Sequence, residues 1–144
     1  MTKHGIVIGT VFVLLAFGMQ TPQFAQDHSD QQKALEEHAT LIGLVRTINT
    51  AEASDFFQYG SYSSWQTLLA QDSDYLNAWL TRFYLQKAAH FAETPEILPG
   101  WNLRLTVQPD GRGFVLVLED ANDKSGFAAV SDERGIIREC KYIE

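Results

Sequence analysis

The stretch Leu41–Tyr62 reads LIGLVRTINTAEASDFFQYGSY and decides the fold of this chain. Four of its apolar side chains recur at i, i+3, i+4 and i+7: Leu41, Leu44, Val45 and Ile48. Because this spacing puts them on one side of an α-helix, the stretch predicts a helix with a single apolar stripe. Such a helix is not stable alone in water, so another part of the chain must cover the stripe.

The residues that can cover this stripe lie late in the chain. Alternating or continuous apolar runs predict four strands, at Trp101–Gln108, Phe114–Leu118, Phe127–Val130 and Ile136–Ile143. Pro109-Asp110-Gly111 is typical of a turn, which makes the first two strands a hairpin. We therefore predict an α+β fold in which a four-stranded antiparallel meander lies on the 41–48 stripe.

The first helix is predicted to extend on both sides of the stripe. Ser29-x-x-Gln32 has the pattern of a capping box and predicts a start near Asp30. Gly60 predicts the end, because glycine readily adopts the left-handed conformation that terminates helices. Residues 26–40 are too polar to be buried, so they are predicted to form a polar helical stalk. Gly43 within the stripe indicates either close approach by another element or simple tolerance.

Two further helices are predicted between this helix and the strands. Ser63-x-x-Gln66 predicts a short helical turn whose inner side carries Trp65, Leu68 and Leu69. The apolar spacing is helical again from Asp74 to about Phe91, where Leu76, Trp79, Leu80 and Phe83 form the stripe. Residues 92–100 contain two prolines and mark the change from helix to sheet.

The N-terminus has the order of regions found in a secretory signal. Lys3 precedes an uncharged apolar run at residues 5–19, and a polar segment around Pro22 follows. We expect cleavage after Ala25; an uncleaved membrane anchor is the alternative, although the run is short against the roughly 20 residues that span a bilayer. The predicted organisation is a signal peptide or short anchor at 1–25, the stalk at 26–40 and a head at 41–144.

The net charge limits the classes of binding partner, and the cysteine content limits the disulfide bonds that the chain can form. The formal net charge is −7, which disfavours nucleic acid and anionic membrane surfaces as partners and favours solubility. Cys140 is the only cysteine, so a disulfide within the chain is impossible. On a strand near the C-terminus it is predicted to be a small buried hydrophobe, with pairing between molecules as the alternative.

No motif of catalysis, cofactor binding or metal binding is recognised, so we predict a non-enzymatic protein without such residues. His38 adjoins Glu37, but neighbouring residues do not face each other on a helix, and a solvated His38 is predicted. Asp120, Asn122 and Asp123 are similar to the opening of a calcium loop, but no glutamate closes the pattern. Turn formation explains the same residues.

Aromatic side chains crowd the exit of the first helix: Phe56, Phe57, Tyr59 and Tyr62. We predict that they fill the junction between helix and sheet, and that Arg46 and Glu52 also hold these elements together. An alternative of another class is a small-ligand pocket at this junction, lined by Tyr59, Tyr62 and Trp65 with His90 as its polar group.

Two segments resemble bacterial type IV pilin-like proteins. VRTINTAEASDFFQYGSY, residues 45–62, is similar to the region where the long pilin helix enters the globular head, commonly L-R-T-I-N-T-A-E followed by an aromatic exit. SDERGIIR, residues 131–138, is similar to the last hairpin of those heads, often T-D-E-S-G-V-I-R. Gly100-Trp101-Asn102-Leu103 stands where such heads open a strand. The resemblance implies a pilin-like α+β fold from about residue 41 onward.

The N-terminus departs from this family. Gly5 is followed by Ile6-Val7-Ile8-Gly9-Thr10 in place of the Phe-Thr-Leu-Ile-Glu of a prepilin peptidase site. Pro22 and the polar residues 26–32 are also expected to interrupt the helix, and burying Asp27 and Asp30 in a fibre core would leave their charges unpaired.

The expected function is therefore that of an exported, non-enzymatic pilin-like protein. It would act through protein contacts, including self-association, in the periplasm or outside the cell. The alternative is a minor pilin or pseudopilin of a type IV pilus or type II secretion system, anchored in the inner membrane and contacting that machine.

Overall fold

Helices precede strands throughout the computed structural model, which describes residues 23–83, 90–123 and 126–141. The helices are α1 (Gln23–Tyr59), α2 (Trp65–Gln71) and α3 (Ser73–Phe83). The strands are β1 (Glu96–Leu98), β2 (Trp101–Val107), β3 (Phe114–Asp120), β4 (Phe127–Asp132) and β5 (Arg138–Lys141). All neighbouring strands pair antiparallel in the order β1-β2-β3-β4-β5, so the sheet is a meander and the α+β class is confirmed.

The apolar stripe of α1 forms the centre of the core. Its four members are at most 1% exposed: Leu41, Leu44, Val45 and Ile48. They share one cluster with the inner face of the sheet, which carries Leu103, Leu116, Leu118 and Ala129. α1 contacts both β4 and α3, so the predicted cover by late strands is confirmed and is completed by a helix.

α1 is longer at its N-terminal end than predicted. It includes Gln23 and runs through Ser29 and Asp30, so the prediction of a start near Asp30, and of a break at residues 26–32, is wrong. The reason is that residues 23–32 contain no glycine or proline, and the polar Ser-x-x-Gln pattern fits a helix interior as well as a cap. The described side chains from Gln31 to Thr40 are exposed or half-buried, and none is buried. No described helix is both long and apolar enough to cross a membrane.

The exit of α1 follows the prediction, and the next helix begins one residue late. Gly60 has φ of +77°, and its N–H donates to the Phe56 carbonyl at 2.9 Å, which closes the helix. Ser64, rather than Ser63, caps α2, with its hydroxyl accepting from the Thr67 N–H at 3.3 Å. The Ser63 N–H donates instead to Glu52.

α3 buries three of the four residues predicted for its stripe, Leu76, Trp79 and Leu80, whereas Phe83 is 52% exposed. The predicted helical end near Phe91 is wrong: His90 lies at a bend, and Phe91 is in irregular structure. Phe91 is buried because its ring packs against those of Trp65 and Trp79, at 5.5 and 6.2 Å between centroids. The predicted stretch at 84–89 lies outside the described residues.

The sheet has five strands, so the prediction of four is wrong. The missed strand is β1, which lies in the segment assigned to the change from helix to sheet and pairs with β2. Three residues between two prolines are too few to display a period of two. A register irregularity between Glu96 and Leu98 further places Ile97 and Leu98 both in the core.

The turns at Gly111 and Gly135 lie where the sequence predicts them. Gly111 and Gly135 have φ of +69°, and their N–H groups donate at 2.8 Å to the carbonyls of Gln108 and Asp132. β5 begins at Arg138, two residues after the predicted strand start, and the predicted end at Ile143 lies outside the described residues.

Candidate functional site

Three acidic side chains meet where the end of α1 faces the α2–α3 connection: Glu52, Asp55 and Asp72, the carboxyl cluster. Glu52 and Asp55 are three residues apart on α1 and therefore lie on one face of the helix. They are 0% and 2% exposed. Asp72 joins two helices, since its N–H donates to the Leu68 carbonyl and its own carbonyl accepts from the Leu76 N–H.

The carboxyl cluster holds the α1–α2 connection in place. Glu52 Oε2 accepts from the Ser63 N–H at 2.9 Å, and the preceding residue, Tyr62, donates its N–H to the Gly111 carbonyl at 2.9 Å. The segment 61–64 is thus bonded to α1 on one side and to the β2–β3 turn on the other. Glu52 was predicted to hold the helix to the sheet; it bonds the helix to this segment instead.

Several oxygen atoms of the carboxyl cluster lack a partner in the described part of the chain: Glu52 Oε1, Asp55 Oδ2 and Asp72 Oδ2. Burial raises the pKa of Glu52 to about 7; the Ser63 N–H opposes this shift, and the charges of Asp55 and Asp72 add to it. Burial, the Asp55 charge and a hydrogen bond with Asp55 raise the pKa of Asp72. Glu52 can therefore retain its proton into the neutral range.

The geometry of the carboxyl cluster does not suit a metal. Within residues 23–83, 90–123 and 126–141, no three side chains of His, Cys, Asp or Glu are arranged to hold a metal ion. In the loop considered for calcium, Asp120 Oδ1 accepts from the N–H groups of Asn122 and Asp123 at 2.7 and 3.1 Å. This bonding confirms the predicted turn.

The prediction that four aromatic residues fill the helix–sheet junction is wrong for two of them. Tyr62 does so, because its ring lies 4.6 Å from that of Phe56 and 4.9 Å from that of Phe114. Phe57 and Tyr59 are 93% and 55% exposed. The inner stripe of α1 continues after Ile48 through positions 51, 52 and 55, so Phe57 faces away from the core.

Arg46 is exposed, so the prediction that it joins helix to sheet is also wrong. Asn49 has that role, because its Nδ2 donates to the Ser131 hydroxyl of β4 at 2.7 Å. Sequence reasoning missed Asn49, Asp55 and Asp72. Extending the stripe period past Ile48 would have found Asp55, since it lies at i+7, but no local pattern connects Asp72 with α1.

The residues considered for a small-ligand pocket have separate environments. Tyr59 is exposed, Tyr62 packs between two phenylalanines, and Trp65 is buried with its indole N–H donated to the Ala92 carbonyl at 3.1 Å. His90 lies on the surface at a bend.

A different cavity of about 550 Å³ opens beside His38, with Leu41, Trp101 and Phe127 in its walls. His38 Nε2 is 3.2 Å from Glu139 Oε2, and its ring packs edge-on against Phe127 at 4.4 Å. His38 is therefore half-buried and in contact with the sheet, and only partly solvated, where the sequence predicted a solvated side chain. Cys140, at the rim, is exposed, which corrects the prediction of a buried thiol.

No protein-family model matches this chain, and neither a curated protein nor a solved structure matches it. 

Proposed function

We propose that this chain is an exported, non-enzymatic, pilin-like protein that acts through contacts with other proteins in the periplasm or outside the cell. The observation that carries the proposal is the division of α1. Its second half is buried beneath an antiparallel meander, and its described side chains before Leu41 are exposed or half-buried. A helix that enters a head in this way is what the resemblance to pilin-like proteins implies.

The residues that carry the resemblance also have structural reasons to be present. Within Arg46–Glu52, the side chains of Ile48, Ala51 and Glu52 are buried, and Asn49 bonds β4. In the closing hairpin, Gly135 adopts the left-handed conformation of the turn. These positions support the proposal of a common architecture, since each has a role in the packing of α1 or in the turn that closes the sheet.

The surface supports contacts with proteins. Large apolar side chains of α1 are exposed at Leu35 (69%) and, near the C-terminal end of the helix, at Phe57 (93%) and Tyr59 (55%). We propose that the exposed aromatic side chains at that end supply apolar area for contacts with a partner protein. The carboxyl cluster lies inside the head and is not needed for such contacts.

The anchored alternative, a minor pilin or pseudopilin, is favoured by one observation. α1 continues without a break through residues 26–32, as the long helix of an assembling pilin would. Asp27 and Asp30 oppose this alternative, because a fibre core would leave their charges unpaired.

Affinity purification after chemical crosslinking in the native host tests the proposal, using the full chain with a C-terminal tag. We expect crosslinked proteins, including copies of the chain itself, to be captured with wild type and with Tyr75→Ser. The captured proteins should be lost or reduced with the double variant Phe57→Ser plus Tyr59→Ser, because it removes exposed apolar side chains of α1 that are proposed to make the contacts. Tyr75 is a matched control, since it is 46% exposed and lies on α3. A chain that crosslinks to nothing and copurifies with a small molecule would contradict the proposal and favour a ligand carrier.

A further inference from the structure

The cavity beside His38 has the size of a small-molecule site. Its volume of about 550 Å³ lies within the range of roughly 300 to 1,000 Å³ that such sites occupy. Leu41 of α1 forms one wall, and Trp101 and Phe127 form walls on the side of the sheet. Leu41 and Trp101 are 1% and 8% exposed, so two of these walls belong to the core and are held in place by its packing.

Aromatic rings form a corner of this cavity. The ring of Trp101 lies 5.9 Å from that of Phe127 between centroids, with 73° between the two planes. The His38 ring also lies next to Phe127, at 4.4 Å and 80°. Rings that stand nearly at right angles are typical of the aromatic cages that bind ammonium groups, because each ring face attracts positive charge. The walls therefore suit a ligand that combines an apolar body with a cationic group.

Acidic side chains from three elements line the same cavity: Glu37 of α1, Asp120 of β3 and Glu139 of β5. His38 is the one described lining residue that can carry a positive charge, and its Nε2 lies 3.2 Å from Glu139 Oε2. Asp120 uses one oxygen, Oδ1, to accept the N–H groups of its own turn, and a carboxylate can accept further bonds through its other oxygen. Three carboxylates against one histidine give the lining a negative charge, which attracts cations and repels anions.

We propose that this cavity binds a small organic cation, an alkylammonium or arylammonium compound. Its apolar body would lie against Leu41, Trp101 and Phe127, and its positive charge would face Asp120 and Glu139. An organic cation fits better than a metal ion, since no three side chains in the described part of the chain are arranged as metal ligands and most of the wall is apolar.

This inference goes beyond the proposed function and does not depend on it. The aromatic residues assigned to protein contacts, Phe57 and Tyr59, follow His38 on α1 by about 28 Å or more along the helix axis. A ligand in the cavity therefore leaves that surface uncovered.

Titration of the full chain with benzyltrimethylammonium, followed through the tryptophan indole resonances in proton–nitrogen NMR spectra, tests the site. Trp101→Phe assigns the resonance of interest. We expect a saturable shift of the Trp101 resonance and a much smaller shift of the Trp65 resonance, because the Trp65 indole N–H is donated to the Ala92 carbonyl away from the cavity. Benzenesulfonate, an anion with a similar ring, should produce no saturable shift.

Carboxylate variants test the role of charge. Asp120→Asn and Glu139→Gln should each weaken binding of benzyltrimethylammonium by about threefold, and the double variant by about tenfold, because each removes part of the attraction. The asparagine keeps an oxygen that can accept the bonds of the turn. Glu119→Gln is the matched control and should bind as wild type does, since Glu119 adjoins Asp120 but lines a different cavity together with Arg104.

Three results would overturn the proposal. The first is a wild-type chain whose Trp101 resonance shows no saturable shift. The second is an equal affinity of wild type, Asp120→Asn and Glu139→Gln for benzyltrimethylammonium. The third is binding of benzenesulfonate as tight as that of the cation, because the cavity would then select the ring and not the charge.

Discussion

Protonation of Glu52 makes the free energy of unfolding depend on pH. Its pKa is about 7 in the folded chain against an ordinary value of 4.5. Between these two values the folded state binds a proton that the unfolded state has lost, so the free energy of unfolding falls as pH rises. The loss is complete above about pH 7 and is on the order of 3 kcal/mol.

We therefore expect Glu52→Gln to remove this loss. Urea unfolding should give the variant a free energy of unfolding similar to that of wild type near pH 4.5, and one higher by up to about 3 kcal/mol above pH 8. Glu36→Gln, on the exposed half of α1, should unfold as wild type does at both pH values. A variant whose stability runs parallel to that of wild type across this range would show that Glu52 ionises without cost.

Gly43 is a residue at which the sequence left two explanations open, and the structure makes both testable. A Cβ at this position would lie 3.5 Å from Trp79 Nε1, which is an ordinary contact. We expect Gly43→Ala to raise the free energy of unfolding by about 1 kcal/mol, because alanine loses less backbone entropy in a helix.

Gly43→Leu provides the contrast, since its larger side chain would collide with Trp79 and should destabilise the chain. Thermal unfolding of the two variants beside wild type measures both effects. Destabilisation by Gly43→Ala would mean that α1 and α3 pack more closely than the 3.5 Å distance indicates.

β1 is the element that the sequence pattern missed, and its contribution to stability can be measured. Ile97 is fully buried in the core cluster. Ile97→Ala should lower the free energy of unfolding by about 2 to 4 kcal/mol, through lost burial and the cavity that remains. Val115→Ala, on the outer face of β3 where the side chain is 46% exposed, should cost under about 1 kcal/mol in the same urea titration. Equal costs would place β1 outside the core.

The elements that could be predicted are those long enough to show their period. Residues 101–107 alternate over a full strand, and residues 41–48 repeat over two helical turns, so β2 and the core of α1 were found. β1 has three residues, and the irregular position of Phe91 depends on contacts with Trp65 and Trp79, which are distant in sequence. No local pattern contains that information.

The candidate site was predictable to a similar degree. Glu52 was identified as structural, and the period of the α1 stripe contains Asp55, but Asp72 comes from another element. Its approach to Asp55, whose charge helps to raise the pKa of Asp72, depends on how α2 folds back on α1. Phe57 is a case in which residue type gave the wrong prediction. Its aromatic ring favoured a buried position, but its place on the outer face of α1 exposes it to solvent.

At the scale of the whole molecule, the packing of α1 distinguishes a head from a stalk. The buried core cluster begins at Leu41, and none of the described side chains before that residue is buried, although His38 contacts Phe127 and Glu139 of the sheet. A formal net charge of −7 suits a chain that works in solution and contacts other proteins. Export of the chain as residues 26–144 is the central element of the proposed function.

The intact mass of the chain recovered from outside the cytoplasm tests export most directly. We predict a mature protein that starts at Gln26, found in the periplasmic or secreted fraction. A chain that starts at Ile6, or one that keeps Met1 and remains with the membrane fraction, would contradict export and support the anchored pilin or pseudopilin.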